Sequence, residues 1–91
     1  MRAVRISAAG TQVKSSACKI WGIKVVPDGT NQGTLHLYDS AESTALITDR
    51  KDSVTGKTDS VDTMYPHPLM LSKGCYISLS GTNASGVVYM D

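Results

Sequence analysis

The chain has 91 residues, enough for one domain spanning 1–91. A domain of this size buries only about 60 to 65% of its unfolded surface, so its core is modest and association would help it. Nine basic and eight acidic residues give a net charge of +1 and are scattered. With no basic stripe to follow a phosphate backbone, direct nucleic-acid binding is not expected. No run of roughly 18 apolar residues exists, and MRAVRISAAG lacks the apolar stretch of a signal peptide, so the reading is a soluble chain made without a signal and with no membrane partner.

There is no Phe and one Trp, so Val, Ile, Leu, Met and Ala must build the core, with four Tyr at its margins. Ser and Thr are abundant, Gly occurs eight times, and a 3.6-residue apolar rhythm is scarce. This is the palette of an all-β protein.

In chain order, Arg2 to Ala8 reads as a first strand that Gly10 ends, and Thr11 to Ser16 either extends it past a bend or connects onward. Ala17 to Val26 holds the only Trp and reads as a central strand. Strict alternation puts Cys18, Ile20, Gly22, Lys24 and Val26 on one face and Lys19, Trp21, Ile23 and Val25 on the other, both largely apolar. Pro27, Asp28, Gly29, Asn31 and Gly33 supply turn chemistry. Thr34 to Tyr38 then alternates Leu35 and Leu37 against Thr34, His36 and Tyr38. Ser40 to Glu42 is a turn, and Ser43 to Asp49 a further strand.

Arg50 to Thr63, RKDSVTGKTDSVDT, contains only Val54 and Val61 as aliphatic residues and reads as a projecting polar loop or hairpin between two strands. Met64 to Leu71, MYPHPLML, is extended, and its two prolines place it at a sheet edge or on a crossing between sheets. Cys75 to Ser80 points Cys75, Ile77 and Leu79 inward. After a turn through SGTNASG, Val87 to Asp91 closes the chain. Seven to eight short strands with regular turn signals predict an antiparallel β-sandwich or a jelly-roll-like fold.

No motif marks a chemical activity. Gly56-Lys57-Thr58 resembles the tail of a phosphate-binding loop, but Lys51 stands where the pattern needs its first Gly. Asn83-Ala84-Ser85 has glycosylation spacing and reads as turn residues. Asp49, Asp52, Asp59 and Asp62 match no calcium loop, and Lys51 and Lys57 intervene. Two Cys and two His, all isolated, do not make a zinc site. Cys18 and Cys75 read as two buried thiols, with a disulfide between neighbouring strands the alternative. No nucleophile elbow is present and the domain has little room for a water-excluding pocket, so no enzyme, cofactor or metal is expected.

The succession of ACKIWGIKV, GTLHLYDS, a polar excursion, PLMLSKGCYISLSGT and GVVYMD resembles small β-sandwich virion proteins of tailed bacteriophages along residues 1–91. Cys18 and Cys75 depart from it, at strand positions where aliphatic residues would serve. The resemblance implies a structural role in the virion, assembled in the host cytoplasm. A capsid decoration or stabilising (cement) protein comes first, with a neck, tail or fibre component as the alternative. The implied partners are capsid, neck or tail subunits and copies of itself, a trimer being one candidate assembly. The polarity, length and prolines of the excursion and of Tyr65 to Met70 mark these as contact segments, with Lys51, Lys57, Tyr65, His67, Leu69 and Tyr38 as candidate contacts. Two other classes stay open: a small scaffold or inhibitor, and a carbohydrate-binding host-recognition module. The latter needs an exposed aromatic platform, for which only Trp21, Tyr38 and Tyr76 are available. Trp21 alternates with Ile23 and Val25, which favours a core or interface residue.

Overall fold

The computed structural model describes residues 1–42 and 46–91, apart from the side chain of Ile47. Among them are eight strands: β1 (Arg2–Ile6), β2 (Gly10–Lys14), β3 (Cys18–Val26), β4 (Gly33–Asp39), β5 (Arg50–Gly56), β6 (Val61–Leu71), β7 (Cys75–Ser80) and β8 (Ser85–Met90). They form two antiparallel four-stranded sheets, β1-β8-β3-β6 and β2-β7-β4-β5. The protein is an all-β sandwich, as the turn spacing predicts.

The pairing has a simple logic. β1 pairs with β8, β2 with β7, β3 with β6 and β4 with β5. These are the rungs of one long hairpin bent at the β4–β5 connection. Rolling that hairpin up brings β8 beside β3 and β7 beside β4. The result is the double Greek key of a jelly roll. Every connection except β4–β5 therefore crosses from one sheet to the other. β3 and β4 are the inner strands of opposite sheets, joined by an arch in which the Asp28 carboxylate accepts hydrogen bonds from the backbone of Thr30 and Asn31.

Three expectations change. The stretch 50–63 is not a projecting loop: Arg50–Gly56 is an edge strand of the second sheet, and Val61 begins an edge strand of the first. It looks polar because an edge strand buries one row only, here Val54 and Gly56 with Asp52 half-buried. The strand expected over Ser43 to Asp49 lies outside the described residues at 43–45, and it ends as a 3-10 turn at Ile47–Asp49.

The third change concerns β3, whose alternation is not strict. Ile20 pairs with Met90 and Gly22 with Tyr89, leaving Trp21 as an extra residue in the ladder. This β-bulge resets the parity, so that Cys18 and Ile20 before it and Ile23 and Val25 after it all point inward. On the other side Ile20 pairs with Leu69 and Gly22 with Met64, so Tyr65 to Pro68 arch away from the ladder. Pro66 and Pro68 have no N–H to give it. The two apolar faces read from the sequence are one core-facing row interrupted by a bulge.

Ile6, Ile20, Ile23, Val25, Val88 and Met90 meet Leu35, Leu37, Val54, Ile77 and Leu79 between the sheets. Cys18 and Cys75 join this core as free, buried thiols. Burial pushes the Cys75 thiol up to about 12, with Cys18 and Asp39 adding to it, and burial also raises Cys18. At pH 8, iodoacetamide should therefore alkylate Cys75 at least about a hundredfold more slowly in native buffer than in denaturant, as followed by mass spectrometry. Comparable rates would contradict the buried placement.

Asp39, at the end of β4, fastens the β6–β7 turn. Its Oδ1 accepts the N–H groups of Lys73 and Gly74 at 2.8 and 3.3 Å, and its Oδ2 accepts the N–H and hydroxyl of Ser72, both at 3.2 Å. Gly74 is required here, because a side chain would press on the Ser40 carbonyl 2.8 Å from where its Cβ would stand.

Candidate interaction faces

The outer face of the second sheet is polar. The Thr34 and Thr55 hydroxyls lie 3.1 Å apart, and His36 Nδ1 hydrogen-bonds the Ser53 hydroxyl; in both cases the partners sit opposite one another on β4 and β5. Burial lowers the pKa of His36, and nearby Arg50 lowers it further, so the ring is neutral at pH 7. Tyr38 lies between His36 and Tyr76, with ring centroids 6.3 and 6.1 Å away.

The outer face of the first sheet is different. Reading the register across β1, β8, β3 and β6 gives one row of Ala3, Tyr89, Gly22 and Met64 and, on one side of it, a row of Arg5, Val87, Lys24 and Asp62. On the other side stand Asp91, Lys19 and Met70, since the Asp91 N–H reaches the Lys19 carbonyl and Lys19 pairs with Met70. The bulge turns Trp21 onto this face, where its indole N–H donates to Asp91 Oδ1 at 2.9 Å. Met64 lies over Gly22, which has no side chain to hold it off. Met64 is 47% exposed and Met70 63%. An apolar centre with charges on both flanks is the anatomy of a protein–protein contact surface.

The six contact candidates are scattered. Lys51 is exposed on β5, Lys57 in the β5–β6 turn, and His67 on the arch of β6. Tyr65 is half-buried, and its phenol donates to Asp52 Oδ2 at 2.7 Å, joining the edge strands of the two sheets. Burial and this acceptor raise its pKa, so the phenol stays protonated. Leu69 packs against the core. Tyr38, only 5% exposed, is covered although it lies on an outer face. Lys51, Lys57 and His67 thus remain open along the side where β5 and β6 meet.

Sequence reasoning passed over Met64, Met70 and Tyr89 as surface residues. The available signal was two methionines in the outward phase of β6, opposite the only tryptophan.

An open depression of about 300 Å³ is lined by Ser40, Ala41, Glu42, Leu46, Asp49 and Lys73, with the Lys73 ammonium 3.1 Å from Asp49 Oδ1. Among the described residues no three His, Cys, Asp or Glu side chains are grouped to hold a metal ion, and no helix is long and apolar enough to cross a membrane. The chain matches no model of a known protein family, and no curated protein is significantly similar to it.

Proposed function

We propose that this chain is a non-enzymatic bacteriophage virion structural protein, a decoration or stabilising protein of the capsid, acting through protein–protein contacts. The observation that carries this reading is the topology: an eight-stranded roll with the sheet order β1-β8-β3-β6 and β2-β7-β4-β5, an architecture recurrent in viral capsid and lectin domains. In this reading the β5–β6 side, with Lys51, Lys57 and His67 exposed, faces the particle. The glycan-binding alternative shares the architecture but has a weaker basis, because Tyr38 is covered and the Trp21 indole is engaged by Asp91.

The test is mass spectrometry of gradient-purified particles from a host carrying the gene, alongside particles lacking it. The expected result is many copies per particle in the first, and a lower temperature of capsid disruption in the second. Absence of the protein from intact particles would overturn the reading.

A further inference from the structure

We infer that the outer face of the first sheet is a self-association surface, on which a second copy of this chain packs face to face about a two-fold axis. The inference goes beyond the proposed role and holds whatever particle the protein joins.

The order of residues in the rows makes this face complementary to itself. A two-fold axis lying in the interface, parallel to the strands and between β8 and β3, lays each row on the same row of the second copy, read backwards. The row Arg5, Val87, Lys24, Asp62 then sets Arg5 against Asp62 of the second copy, and Asp62 against its Arg5. In the next row Ala3 meets Met64, while Tyr89 meets the patch of Gly22 and Trp21. In the third, Asp91 meets Lys19. Every charge in these pairs faces its opposite or an aliphatic side chain, and both aromatic residues fall near the axis, where contact energy concentrates.

The other in-plane axis, perpendicular to the strands, does the reverse. It sets Lys19 on Lys24 and Met70 on Asp62, pairing like charges and burying a carboxylate against a thioether. The charge pattern therefore selects one arrangement. That arrangement keeps the strands of the two copies close to parallel, as aligned sheet packing requires. An interface is isologous when each contact recurs with its partners exchanged, and each of these does. The Asp91 carboxylate meets the Trp21 indole N–H at 2.9 Å and the Met1 ammonium at 3.5 Å, both through Oδ1, and Oδ2 remains to accept from Lys19 of the second copy.

The test uses the full 91-residue protein in sedimentation velocity up to about 300 µM, since a four-strand face is a small interface with micromolar affinity. The wild type should approach the dimer mass across this range. Arg5→Asp and Asp62→Arg should each sediment as monomers, because each sets like charges against one another twice. An equimolar mixture of the two variants should regain the dimer mass, since both contacts become attractive in the mixed pair. Thermal unfolding checks that the variants are folded, and Met64→Glu, at an exposed position, provides an independent disruption. A monomeric wild type, a trimer, single variants that still dimerise, or a mixture that stays monomeric would each overturn the inference.

Discussion

Replacing Asp39 by Ala is expected to cost about 2–4 kcal/mol, because four donors lose their common acceptor and the one on Gly74 is buried where water does not easily replace it. A domain of this length has a total stability of about 5–14 kcal/mol, so the loss is a large fraction. Asp39→Asn should cost less, since the amide oxygen keeps one acceptor position while its NH₂ faces donors. The same site adds to the acid sensitivity of the fold. Burial pushes the Asp39 carboxyl up, but the backbone N–H groups of Lys73, Gly74 and Ser72 and the Ser72 hydroxyl outweigh it and hold the pKa below the ordinary carboxylate value. A depressed folded pKa means that the stabilisation is complete above the unfolded pKa of about 3.9 and is lost as pH falls through the folded value. Urea unfolding at pH 7 and pH 3 reads both effects. The difference between wild type and Asp39→Asn should shrink at the lower pH, and a constant difference would contradict this role for the carboxylate.

Insertion of an Ala between Gly22 and Ile23 should be far more damaging than deletion of Trp21. Trp21 is the extra member of the β3 ladder, and without it strict alternation returns with Cys18, Ile20, Ile23 and Val25 all still on the inward row. Deletion of Trp21 should therefore cost only about 1–2 kcal/mol, much like Trp21→Ala, for an exposed hydrogen bond to Asp91 and some packing on the outer face. With Gly22 still opposite Tyr89, the insertion instead turns Ile23 and Val25 to solvent and Lys24 into the core. Losing a buried Ile costs about 2–3 kcal/mol, and burying an unpaired ammonium several more, so the insertion variant is expected not to fold. Circular dichroism with urea titration of the variants separates the cases. An insertion variant as stable as Trp21→Ala, or a deletion variant that fails to fold, would show that the bulge does not set the parity of β3.

Met64 and Met70 illustrate why the proposed contact face was hidden in the sequence. A two-residue period puts the two on one face, but the prolines between them arch the strand away from β3, and only the register shows that Met64 stands beside Gly22 and Met70 beside Lys19. Tyr89 reads locally as one of two alternating positions, and only its place opposite Gly22 brings it to the Trp21 and Met64 strip. Tyr38 shows the opposite error: its outward phase was legible, but packing among its neighbours, among them the Tyr76 and His36 rings, covers it.

The class of fold and most of its strands follow from local pattern alone. Short alternating runs such as Leu35-His36-Leu37 and Cys75-Tyr76-Ile77, separated by Gly, Pro and Asn, bury one face each only if they pair into sheets, and that requirement is local. Which sheet each strand joins, the one-residue reset at Trp21 and the identity of the outer faces are settled by the packed fold. Those depend on contacts between residues far apart in the chain: Ile20 with both Met90 and Leu69, Leu35 with both Leu79 and Val54. A strand carries the period of its own side chains but no record of its neighbours. The charged and apolar rows that define a surface come into being when the hairpin rolls up.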